Sequence, residues 1–474
     1  MSINSAWIAV AWAWLASAAC ADPLRHFAIE VLDDQTGRGV PLVELRTVND
    51  IEFYTDNAGL VAFDEPGLMD RDVFFYVRSH GYEMAKDGFG YEGMRLTTTP
   101  GKRARIKLKR LNIAERLYRI TGQGLYRDSV LLGRSPPIAA PLLNAEVLGQ
   151  DSVMAAVYRD KVYWFWGDTN RASYPLGHFR TSGATSKLPE HGGLDPSIGI
   201  DFTYFTDATG FARGMCPFDG PGPVWIDGVV TVDDQTGRER LIAHYQRMKQ
   251  LDTVLEHGLA VFNDDTQQFD KLATIELTEK WRYPRGQAFR QMIDGREYLL
   301  FAAPLPTVRV RATFEDVQNR DSYEALTSDR IWRTDAPPIE PLSLRDADSR
   351  APVKIHAACV RWNGYLKKWI MIGEQIGGSS YLGELWFAAA EQPIGPWTRA
   401  RKIVTHDRYS FYNPALHDFL DTHNGRYVYF EATYTHTFSG NDRATPRYEY
   451  NQIMYRLDLS DARLREVTTA PPAQ

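Results

Sequence analysis

Cysteine is nearly missing. The 474-residue chain holds three, and one of them, Cys20, falls inside an apolar leader. The other two, Cys216 and Cys359, are too few for a disulfide framework, so a small stapled scaffold is excluded. A single bridge and two buried thiols both stay open. Excess positive charge is missing too: 54 Lys and Arg stand against 60 Asp and Glu, a formal charge of −6. Nucleic acid is recognised through clustered cations, so no nucleic-acid partner is expected. Beyond the leader no apolar run approaches the roughly 20 residues that cross a bilayer, so no transmembrane segment is expected. Gly-x-Ser-x-Gly and the phosphate loop are both absent, which removes the commonest hydrolase and nucleotide readings. No fixed spacing of metal ligands occurs. No cofactor is therefore expected, a structural cation in a central channel being the one exception left open.

Aromatic residues are abundant at 12%, with 24 Tyr and 12 Trp. The first 21 residues, MSINSAWIAVAWAWLASAACA, are apolar and end on Ala19-Cys20-Ala21, the pattern of a secretory signal peptide, although no Lys or Arg precedes the run. The expectation is an exported protein, periplasmic or secreted. Lipid attachment at Cys20 ranks second, because Ser17-Ala18-Ala19 lacks the usual Leu.

Residues 22–110 hold short alternating strands separated by Gly- and Asp-rich turns, the pattern of a β-sandwich. The run TGRGVPLVEL, TDNAGLVAF, SHGYE and KLKR resembles the carboxypeptidase-regulatory-like, prealbumin-type sandwiches often attached to secreted enzymes. A Gly-x-Gly-x-x-Gly at Gly88, Gly90 and Gly93 has no following helix and reads as a loop rather than a dinucleotide site. Residues 111–124, LNIAERLYRITG and its sequel, read as a linker, either a short helix or an irregular crossover. Residues 125–465 form the larger domain, and 466–474 read as a disordered tail.

In that larger domain five stretches repeat one theme: an apolar strand, a polar turn and an aromatic-rich strand. They are VMAAVYRDKVYWFWGD, WIDGVVTVDDQTGRERLIAHYQ, AFRQMIDGREYLLFAAP, AACVRWNGYLKKWIMIGE and PALHDFLDTHNGRYVYFEATY. Asp294-Gly295 is a strong hairpin signal. Repetition at roughly 50 to 70 residues predicts a five-bladed β-propeller, with a sandwich or jelly roll as runner-up. The fold class is all-β.

Aligning the five hairpins places Asp151, Trp225, Gln287, His356 and Asn413 before the first strands. Asp168, Tyr245, Pro304, Glu374 and Glu431 follow the second strands. These positions should converge at one mouth of the channel. Carboxylates beside aromatic faces are what glycosidic cleavage requires: one acid protonates the leaving oxygen, and a second attacks or activates water. Asp168, after WFWG, is the first choice and Asp151 its partner, with Glu374, Glu384 and Glu431 competing as proton donor. Asn170, Trp225, Tyr245, Arg290, His356, Glu384, Tyr412, Asn413, Tyr434 and His436 are the candidate substrate-binding residues. A metal site from His406, Asp407 and His436 has no ligand spacing behind it.

The stretch DSVMAAVYRDKVYWFWGDTN resembles exported five-bladed propellers grouped as domains of unknown function, some of them endo-D-arabinanases. A weaker echo lies in Tyr409–Leu459. The resemblance implies paired catalytic Asp residues in the mouth, and Asp151 and Asp168 are the positions that match. The expected function is hydrolysis of a poly- or oligosaccharide. The alternatives are a non-catalytic propeller that binds a carbohydrate or other partner, and a polysaccharide lyase using His356, Tyr412 and Arg290. The sugar and the oligomeric state are not encoded in any motif.

Overall fold

The computed structural model describes residues 25–178, 180–250, 252–339 and 344–469. The leader, with Cys20, and residues 470–474 lie outside the described residues. What is described is nearly all-β.

Two four-stranded sheets built from residues 27–110 come first. Leu60–Phe63, Phe27–Asp33, Arg103–Arg110 and Tyr82–Glu83 form one, and Glu52–Tyr54, Glu44–Thr47, Asp72–Arg78 and Gly93–Thr97 the other. Alternate residues of both enter one core, including Ile29, Val31, Leu45, Phe63, Phe75 and Ile106. Period-2 alternation in FAIEVLD and DVFFYVR is what puts one face of each strand inside.

Beside a small three-stranded sheet, five larger sheets follow among the described residues, each starting with antiparallel strands that pair in chain order. Their first strands are Met154–Tyr158, Val224–Asp233, Gln287–Ile293, Ile355–Asn363 and Ser410–Thr422. Each of these touches the next, and the last touches the first. Together they wall a channel of about 370 Å³ lined by Ala155, Val230, Ala288, Val360 and Leu416 among others. In the first hairpin Arg159 and Asp160 both take positive φ, the twist that a two-residue turn needs between right-twisted strands.

The linker departs from expectation. Glu115–Arg119 is neither helix nor crossover but a strand, hydrogen-bonded along Asn451–Asp458 as the outermost member of the fifth sheet. All five of its residues are buried, and Arg456 pairs with Glu115. Ala, Glu, Arg and Leu favour helix locally, yet burial on both faces and an open sheet edge decide otherwise. The repeat therefore begins before residue 125. The tail is corrected as well: Arg465–Thr468 is a helical turn against the fourth sheet, with Val467 buried in the core that the fourth and fifth sheets share.

The first unit docks on the fifth sheet through polar contacts. Tyr448 donates to Thr55 O (2.6 Å) and accepts from Leu42 N (3.0 Å), and Asn57 brackets the Arg119 backbone. The two cysteines are free and buried. Cys359 donates to Pro414 O at 2.9 Å, and burial pushes its thiol up to about 12.

If Glu115–Arg119 closes the sheet, a chain starting at residue 125 should lose cooperative unfolding followed by circular dichroism. A chain starting at residue 111 should retain a single transition.

Candidate active site

At the mouth end of the first strands the backbone leaves the regular pleat. Ser152, Gly228, Gly286 and Asn413 all have φ between 53° and 56°, and register breaks after Asp227, Ile355 and Tyr412. Such bulges re-aim side chains next to functional sites. Glycine takes this conformation at little cost, whereas Ser152 and Asn413 take it under strain.

Asp151 and Asp168 meet here. The two strands that run out and back bring Asp168 N within 2.8 Å of Asp151 Oδ1, and Gly167 N within 2.8 Å of Asp151 O. A Cβ at Gly167 would lie 2.4 Å from Asp151 Oδ1, so any larger residue there displaces that carboxylate. From the fifth sheet Tyr412 donates its hydroxyl to Asp151 Oδ2 at 2.8 Å, and Tyr450 reaches the same carboxylate. Asp168 has one side-chain donor among the described residues, the Trp225 indole at 2.9 Å.

Both carboxyls are raised. Burial drives Asp151 up, and hydrogen bonds from Tyr412, Tyr450, the Asp168 amide and Ser152 pull it back. Burial and then the charge of Asp151 push Asp168 up to about 7, with the Trp225 indole opposing. Asp151, with more donors, ionises first, and Asp168 keeps its proton to near neutrality.

Asn413 ties the pair to a third acid. Its amide donates to Ser152 Oγ at 2.8 Å, and its backbone partly offsets the burial that drives Glu374 well above the ordinary range. Glu374 is fully buried, and its carboxyl has little hydrogen bonding beyond that Asn413 backbone contact, which a neutral acid tolerates and a carboxylate does not. His356 stands exposed at the start of its strand, and Gln287 donates to Val153 O at 3.2 Å.

Other expected residues lie elsewhere. Tyr245 and Glu431 sit within their strands rather than beyond them, because those strands run further than their hairpin turns indicate. Tyr245 donates to Glu256, and Glu431 pairs with buried His417 at 2.7 Å. Glu384 accepts from Ser379 and Ser380 and shapes their loop. Arg290 lines the channel, held by Glu297 and the Thr231 carbonyl. Asn170 belongs to a small neighbouring sheet, paired with Gly149. Tyr434 is buried against His80 of the first unit, and His436 is bound by Glu449 at 2.6 Å. His406 is buried against Tyr455, and among the described residues no cluster of His, Cys, Asp and Glu is placed to hold a metal ion. Pro304 follows a cis peptide bond beyond the third hairpin.

Sequence reasoning missed Tyr450, Ser152 and Asp227. Asp227 accepts from Gly228 N and Gly286 N, both at 2.8 Å, and joins the mouth ends of the second and third sheets. An Asp followed by a small residue, as in Asp151-Ser152 and Asp227-Gly228, is the signal that could have found it.

No family model matches the chain, and no curated protein does. Solved structures similar to it include an exo-1,5-α-L-arabinanase from a bovine ruminal metagenomic library. The identity is 12%, over 66% of this chain and 94% of that one, with a TM-score of 0.38. An exo-β-1,3-galactanase from Phanerochaete chrysosporium is 12% identical over 69% and 64% of the two chains, with a TM-score of 0.37. A β-xylosidase/α-arabinofuranosidase of glycoside hydrolase family 43 from a compost metagenome is 15% identical over 66% and 92%, with a TM-score of 0.33.

Asp168 has its pKa raised from near 3.9 in the unfolded chain to about 7. Its stabilising contribution is complete below about pH 4 and is lost as pH rises through 7. Asp168→Asn, which keeps an acceptor for Trp225, should therefore gain about 1–3 kcal/mol over the native chain at pH 8. The gain should vanish at pH 4.5 in urea titrations.

Proposed function

We propose that this protein is an exported glycoside hydrolase, built as an N-terminal β-sandwich and a five-bladed β-propeller, acting at the Asp151–Asp168 pair. One observation carries the reading: two aspartates held side by side, the Asp168 amide donating to the Asp151 carboxylate and an indole donating to the Asp168 carboxyl, whose pKa burial and the Asp151 charge raise to about 7. The closed cycle of first strands supports the propeller, and the shared core of the first two sheets supports the sandwich. Export rests on the leader alone, with lipidation at Cys20 the lesser option.

In this reading Asp168 gives its proton to the glycosidic oxygen as the C–O bond breaks. Asp151, held ionised by Tyr412 and Tyr450, faces the positive charge that develops on the sugar and takes a proton from the attacking water. The hydroxyl of that water joins the anomeric carbon, Asp151 releases to solvent the proton it took, and Asp168 is reprotonated from solvent. Trp225, Tyr412 and Asn413 border the sugar. Glu374, buried and touched by the Asn413 backbone, is the third acid on the same loops. A lyase would need a free cation to neutralise a uronate, and Arg290 is already bound to Glu297 and a carbonyl.

The test is reducing-end release from arabinan, β-1,3-galactan, xylan and bacterial-envelope glycans, run beside Asp168→Asn. Release that falls at least 100-fold in the variant is expected. Release unchanged in the variant contradicts the assignment, and binding without release replaces the hydrolase with a glycan-binding propeller. Where release is found, activity should decline above about pH 7 as Asp168 ionises. Trp225→Phe removes the donor that lowers this pKa, so that decline should move to higher pH.

A further inference from the structure

Phe438 presents a large apolar ring where folding gives no reason for one. It is 54% exposed, on the turn that follows the second strand of the fifth sheet. Its φ is +65°, a conformation that a bulky side chain adopts only under strain. Among the described non-glycine residues with positive φ, two carry a phenyl ring, Phe438 and Tyr450. Both border Asp151. Tyr450 reaches its carboxylate, and the Phe438 ring lies 6.1 Å from that of Tyr412, whose hydroxyl holds Asp151 Oδ2.

The turn that carries Phe438 is tied at every step. Glu449 binds the His436 imidazole at 2.6 Å, and Ser410 donates to Thr437 O at 2.5 Å. Thr437 N donates to Thr435 Oγ1, Ser439 N to His436 O, and Asn441 N to Ser439 Oγ, each at 3.1 Å. An exposed ring on a strained but anchored backbone is a preorganised contact surface, since little freedom remains to be lost on binding.

We propose that Phe438 is a stacking platform for a sugar ring flanking the Asp151–Asp168 pair, so that the ligand offers an apolar C–H face beside its scissile bond. The proposal rests on the glycan reading above and deepens it. Tyr412 joins platform to chemistry: one side of it meets the Phe438 ring and its hydroxyl fixes Asp151. His436 and Glu449 are positioning residues for the platform.

Covering roughly 50–60 Å² of ring face corresponds to about tenfold in affinity. Phe438→Ala should thus raise KM about tenfold on the glycan that the release assay identifies, with a smaller fall in kcat, and Phe438→Tyr should restore KM. Phe438→Gly should bind as weakly as the alanine variant yet unfold at an equal or higher denaturant concentration, because glycine relieves the positive φ. Phe438→Trp, read as a difference spectrum against the native chain, should show its emission shift when arabinan, β-1,3-galactan, xylan or envelope glycan is titrated in. An emission shift without any bond cleavage leaves the platform standing and removes the hydrolase. Cleavage with unchanged KM in Phe438→Ala and a silent Phe438→Trp overturns the platform and leaves the hydrolase. Silence towards every glycan, with no cleavage, overturns both.

Discussion

A ring of sheets persists only if its last member is tied to its first. Here the tie is the antiparallel pairing of Glu115–Arg119 with Asn451–Asp458. A strand that precedes the whole repeat completes the sheet that ends it, so unravelling requires breaking main-chain hydrogen bonds on a buried edge. The same strand leads directly from the first unit, which explains why that unit sits on the fifth sheet and not elsewhere. Tyr448, Asn57 and His80 complete that joint.

The candidate site lies on the seam that this closure creates. Asp151 and Ser152 come from the first sheet, and Tyr412, Asn413, Thr433 and Tyr450 from the fifth. Gln452, next to the closing pairs, donates to Gln150 O at 3.3 Å and to Thr433 Oγ1 at 2.8 Å. Ring closure thus supplies the burial that lifts both carboxyls, together with the hydroxyls that hold one of them ionised. Left-handed backbone at Ser152, Asn413 and Tyr450 is sustained because both sheets fix it from outside. Stability is given up around the carboxyl whose pKa burial and the Asp151 charge raise to about 7.

Much of this was legible in the chain. The first hairpin could be read almost to the residue, because Tyr, Trp and Val alternate between turn residues that suit its twist. That Asp151 and Asp168 lie side by side follows from the antiparallel hairpin between them, while their choice as a pair comes from the hairpin alignment and the resemblance. What sequence could not show was the length of later strands: Tyr245 and Glu431 look terminal by counting from the turn, yet they pair well inside. Nor could it show that a helix-favouring segment would be captured as a sheet edge, since that depends on a partner more than 300 residues away in sequence. Tyr450 and Phe438 were invisible for another reason. Their importance lies in backbone conformation, which an aromatic residue does not announce.

The account's central claim is that Asp168 keeps its proton to near neutrality against an ionised Asp151. The most direct measurement is a difference infrared titration of the carboxyl band, native chain minus Asp168→Asn, from pH 3 to 9. A protonated carboxyl lost with a midpoint of about 7 is the result predicted. A midpoint near 4, the ordinary value for aspartate, would contradict it.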